Sequence, residues 1–75
     1  MDMNIKFEWA GDRQLSFCRL RGVEFGRVYE LTSGKFSPEF GAPGDVIALP
    51  LRDSLRKARQ VVEEQAREWL AEVTA

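Results

Sequence analysis

Histidine is absent from the 75 residues, and cysteine occurs once, at Cys18. Without an imidazole, the Ser-His-Asp and Cys-His nucleophilic arrangements, the usual zinc sites and histidine acid-base chemistry are excluded. A single thiol cannot close an intrachain disulfide or form a redox pair, which suits a reducing compartment. No apolar run is long enough to span a bilayer, and Met1-Asp2-Met3-Asn4-Ile5-Lys6 lacks the basic and apolar segments of a secretory signal. The chain therefore reads as mature and cytoplasmic, with no membrane partner. Excess charge is missing too: 11 basic residues against 12 acidic leave a net charge of -1, so no overall positive field draws in a polyanion.

What remains is an ordinary globular composition, 44% hydrophobic and 31% charged, in a chain short enough to form one domain (1–75). A chain of this size buries only about 60% of the surface it exposes when unfolded. Nearly every apolar residue is then needed for the core, and little is left to line a deep catalytic pocket.

From Met3 to Phe40, short alternating segments are broken by glycine-containing turns, the pattern of an antiparallel meander. Two-residue turns at Gly11-Asp12, Arg21-Gly22 and Ser33-Gly34 would set Trp9 opposite Gln14, Phe7 opposite Ser16, Leu20 opposite Val23, Cys18 opposite Phe25, Leu31 opposite Phe36 and Tyr29 opposite Pro38. Alternation then gathers Met3, Ile5, Phe7, Trp9, Cys18, Leu20, Val23, Phe25, Tyr29, Leu31, Phe36 and Phe40 on a core face. Asn4, Lys6, Glu8, Arg19, Glu24, Glu30, Ser37 and Glu39 fall on a wet face, with Arg19 opposite Glu24. Four residues break the pattern. Leu15, Phe17 and Val28 land on the wet face and Arg27 on the core face, and a bulge at Gly26 would repair some of this.

Residues 41–52, with two prolines and two glycines, read as a loop carrying at most one short extended piece at Val46-Ile47-Ala48-Leu49. Asp53 or Ser54 then caps a helix over 53–73, whose apolar positions Leu55, Ala58, Val61, Val62, Ala66, Trp69, Leu70 and Val73 recur at steps of three and four. The expected architecture is α+β: a four-stranded antiparallel meander (3–40) packed on one C-terminal helix. A helix of that length, about 31 Å, should overhang strands of about 23 Å. Its last turns, or the edge strand Met3 to Trp9, could then join two copies in a weak homodimer.

The strand around Phe7-Glu8-Trp9, the strand Gly26-Arg27-Val28-Tyr29-Glu30-Leu31, the turn Ser33-Gly34-Lys35-Phe36 and the helix opening at Ser54-Leu55-Arg56-Lys57-Ala58-Arg59 and ending in Trp69-Leu70 together resemble small phage and prophage proteins of meander-plus-helix type. That class includes anti-CRISPR-like inhibitors of bacterial defence. The resemblance implies a protein that works by occupying a surface of its target.

Chemistry has few places to hide. Asp45 and Asp53 could hold a metal or act as an acid-base pair, but one sits in a Pro-Gly-Asp turn and the other at a helix cap. Cys18 lies on the core face with no base to activate it. Gly41-Ala42-Pro43-Gly44 lacks the lysine and hydroxyl of a phosphate loop. No catalytic residue, metal site or cofactor is expected. Leu15, Phe17 and Val28, flanked by Arg19 and Glu24, form a candidate protein interface, the competing account being a register that hides them. Arg52, Arg56, Lys57 and Arg59 gather near the helix start, while Glu63, Glu64, Glu68 and Glu72 follow, against the helix dipole. This basic cluster is either a solvated face or a contact for an anion or an acidic partner. The leading expectation is a non-enzymatic interaction protein with a protein target. The alternative is a nucleic-acid-binding module using the four basic residues.

Overall fold

In a computed structural model, which describes residues 5–42 and 45–74, five strands form one antiparallel sheet in the order β1-β2-β3-β4-β5. They are β1 (Glu8–Gly11), β2 (Leu15–Leu20), β3 (Val23–Glu30), β4 (Phe36–Ala42) and β5 (Asp45–Ala48). A single helix, α1 (Leu55–Thr74), lies across one face, so the α+β meander-plus-helix architecture holds with one strand more than expected. The extra strand comes from the segment read as a loop. Phe40 pairs with Ile47 and Gly41 with Val46, and a further bridge joins Phe36 to Arg52, so this segment forms an edge of the sheet.

The turns decide which side chains face the helix. Between β2 and β3, Arg21 (φ 51°) and Gly22 (φ 81°) form the expected two-residue turn, both in the left-handed region that a type I′ hairpin requires. Leu20 pairs with Val23 and Arg19 with Glu24 as expected, but the next pair is Cys18 with Gly26, because Phe25 is an extra residue in a β-bulge. Both Phe25 and Gly26 are buried at this kink. Beyond it the faces of β3 exchange. Val28 turns to the helix side and is fully buried, while Arg27 and Tyr29 turn outward.

At the next hairpin, Gly34 donates its N–H to the Leu31 carbonyl at 2.9 Å, and Leu31 donates to Lys35 at 2.8 Å, closing a three-residue loop. Glu30, not Leu31, therefore pairs with Phe36, and Tyr29 pairs with Ser37. This shift of one residue cancels the bulge, so Phe36 and Phe40 stay in the core as expected.

The first hairpin differs most in register but least in consequence. Asp12 Oδ1 accepts from the backbone N–H groups of Gln14 (2.9 Å) and Leu15 (3.1 Å), so the turn spans Asp12 to Leu15 and Trp9 pairs with Cys18. The four-residue displacement is even, which leaves Trp9, Ser16 and Cys18 on one face. Met3 and Asn4 lie outside the described residues, and the strand expected from Met3 to Trp9 is instead β1, beginning at Glu8.

Ser54 is the helix cap, its Oγ accepting from the Lys57 N–H at 3.2 Å, while Asp53 pairs with the Lys57 ammonium. Ala58, Val62 and Ala66 are completely buried against the sheet. The two alanines let the helix approach closely. Phe25 meets Phe7 edge-on (6.5 Å between centroids) and Trp69 at a tilt (5.7 Å), so the expected overhang is smaller: Trp69 and Leu70 pack on the core, and Val73 is the large apolar residue described near the helix end that stands largely exposed. Val23, placed on the core face by alternation, is half-exposed beside the turn.

Candidate functional site

The helix leaves the opposite face of the sheet uncovered. On that face Leu15 pairs with Tyr29, and Phe17 lies between Ala10 and Arg27. Leu15 is 40% exposed, and Phe17 and Tyr29 are half-buried. Around them Arg27 donates to Glu39 Oε1 at 2.7 Å and the Tyr29 hydroxyl to Glu39 Oε2 at 3.3 Å. The carboxylate raises the Arg27 pKa further, chiefly through that hydrogen bond. Arg19 and Glu24, opposite one another in register, are both exposed.

Of the five residues read as an interface, Leu15, Phe17, Arg19 and Glu24 share this face. Val28 does not. The bulge at Phe25 turns it beneath the helix, where it is fully buried. Tyr29 takes its place, for the same reason. Period-two alternation cannot find this exchange, since a bulge leaves no mark in the alternation except the misfit residues themselves.

The basic cluster is divided. Arg56 and Arg59 line a groove with Trp9, Leu55, Gln60 and Glu63, whereas Arg52 and Lys57 line a separate depression with Gln60, Val61 and Glu64. Lys57 is already paired with Asp53 at 3.3 Å. Four residues close in sequence thus line two different depressions, because Arg56 and Lys57 are turned by about 100° from each other on the helix and Arg52 precedes it, bridged to Phe36.

No family model, curated protein or solved structure matches the chain. The site must be read from its own geometry. Among the described residues no three potential metal ligands stand together. Asp53 serves in an ion pair beside the helix cap, and the backbone of Asp45 opens β5.

Cys18 is completely buried. Burial pushes its thiol from 9.0 up to about 12, with the Glu63 charge adding to the shift and Arg67 opposing it. A thiol at this pKa is protonated and inert at neutral pH. The sign for stability follows from linkage: the unfolded chain ionises near pH 9 and the folded one near 12, so the stability Cys18 contributes below pH 9 is lost as pH rises through that window. Urea midpoints measured from pH 8 to 11 should fall more steeply for the native chain than for Cys18→Ala. Parallel pH profiles would show that the thiol does not drive the loss.

Proposed function

We propose that this protein is a non-enzymatic protein-interaction module that binds a protein target through the sheet face turned away from α1 and acts by covering part of that target's surface. The observation that carries this reading is the contiguous group of Leu15, Phe17 and Tyr29 on a sheet face that no described element covers. Grouped apolar and aromatic side chains ringed by charges such as Arg19, Glu24 and Arg27 have the composition of an interface core and rim. The small phage-encoded inhibitors of host defence complexes that the sequence resembles would work in this way. Nucleic-acid binding is the weaker reading, since the four basic residues are split between two depressions and the net charge is -1.

Phe17→Asp tests the proposal. The side chain lies half-buried on the open face, so the substitution should cost about 1–2 kcal/mol and leave the chain folded while abolishing capture of the partner. Affinity capture from the host, followed by titration of the recovered protein, is the measurement, with a triple Arg56, Lys57 and Arg59 to Gln variant as comparator. Retained binding by Phe17→Asp together with loss in the triple variant would reject the interface. Micromolar affinity for random DNA or RNA at physiological salt would favour the nucleic-acid reading instead.

A further inference from the structure

The groove between α1 and β1 holds a guanidinium that is fixed in place yet, among the described residues, has no carboxylate oxygen within 4.0 Å. Its volume is about 640 Å³, and Trp9 and Arg59 are among the residues that line it. The Arg59 guanidinium carbon stands 5.1 Å from the centroid of the Trp9 ring, and Arg59 Nε donates to Oγ of the fully buried Ser16 at 3.4 Å. The ring is itself held, because Trp9 Nε1 donates to Glu63 Oε2 at 2.7 Å. The other Glu63 oxygen accepts from Arg67 at 3.4 Å.

Arg13, Arg27, Lys57 and Arg67 each have a carboxylate oxygen within 4.0 Å, but neither Arg59 nor its neighbour Arg56 has one among the described residues. With Nε occupied by Ser16, the terminal Nη pair of Arg59 is the part left for a ligand, and that end-on fork matches a carboxylate. Stacking and the serine have already removed the rotamer freedom that binding would otherwise cost.

The backbone beside the groove limits the shape of an occupant. The Asp12 N–H bonds to the Leu15 carbonyl at 3.0 Å, which makes Gly11–Ser16 and Trp9–Cys18 the pairs without mutual hydrogen bonds. The N–H and C=O of Trp9 therefore face the outer edge of β1, where no described strand pairs. A strand added there would set one residue opposite Trp9 at about 5.5 Å, its side chain on the groove side of the sheet.

We propose that this groove is a second binding site, taking an extended acidic segment of a protein partner: the segment adds to the edge of β1 and places a carboxylate between Arg59 and Arg56. With Arg56 and Arg59 set against Glu63, the groove lining carries one net positive charge, which favours a single carboxylate flanked by neutral residues over a run of phosphates. The site lies on the face opposite Phe17, so it stands or falls separately from the interface proposed above.

The probe is an end-capped threonine decapeptide with one central glutamate, and its control, the Gln-Thr peptide, carries glutamine at that position. Titration calorimetry should show it binding, with affinity lower by about tenfold or more for the Gln-Thr peptide and for Arg59→Gln, severalfold lower for Arg56→Gln, and unchanged for Phe17→Asp. Arg56 is exposed, so its variant reports on binding without risk to the fold. Amide exchange at Trp9 and Gly11 should slow in the complex. The proposal is overturned if the peptide does not bind, if the Gln-Thr peptide binds equally, or if both arginine variants are silent. Tighter binding of a deoxythymidine decamer, or equal binding of free glutarate with no change in Trp9 exchange, would also overturn it.

Discussion

Phe40→Ala is expected to lower the free energy of unfolding by about 3–5 kcal/mol, the usual cost of deleting a buried aromatic ring. Phe40 is 1% exposed at the centre of the core, paired with Gly26 on one side and Ile47 on the other. Its neighbours cannot collapse into the space left, because β3 and β5 hold its backbone on both sides and α1 packs over β4. A domain of this size has only about 4–11 kcal/mol of stability in total, so the variant should be marginally folded or unfolded at 25 °C. Equilibrium urea unfolding measures the change, and Val46→Ala, at a 70% exposed site on β5, is the matched control with an expected loss below about 0.5 kcal/mol. A loss under about 1 kcal/mol for Phe40→Ala would contradict its central place.

Gly26→Ala should destabilise the fold by about 3 kcal/mol, at the severe end of overpacking for a single added methyl. A Cβ at Gly26 would stand 2.4 Å from the Glu39 carbonyl oxygen and 2.7 Å from Val62 Cγ1. The first obstacle is backbone of the neighbouring strand and cannot swing away; the second is a fully buried side chain of α1. Helix and sheet are in direct contact here. Adding Val62→Ala removes only the second obstacle, so the double variant should be less unstable than the two single losses summed, without returning to the stability of Val62→Ala alone. Strict additivity, or a loss below about 1 kcal/mol for Gly26→Ala, would show that β3 and α1 are not in contact at this residue.

The helix was the most legible element. Its stripe of Leu55, Ala58, Val62, Ala66 and Trp69 is local periodicity, and Ser54 supplies a local cap, so neighbouring residues suffice to read it. The turn at Arg21-Gly22 was legible for the same reason, since two residues carry its geometry. Strand β5 was less so, because Val46 and Ile47 are both exposed and carry no alternation of burial to read. Of the interface, Leu15 and Phe17 stood out as apolar residues among charges. Val28 was misplaced and Tyr29 missed, both on account of one bulge. The Trp9–Glu63 bond and the Arg59–Trp9 stack join residues fifty or more positions apart and have no local signature.

The sequence by itself determined the class of architecture, the helix, the lack of histidine chemistry and the inertness expected of a lone core cysteine, because composition and short-range periodicity carry those properties. Tertiary structure decided which residues share a face. Side chains alternate along a strand, so one extra residue at Phe25 exchanges inside and outside for the rest of β3, and one extra residue in the Ser33-Gly34 loop restores the order in β4. Where such shifts fall depends on how α1 seats against Gly26 and on how each hairpin closes its hydrogen bonds, and these are settled only when distant parts of the chain meet.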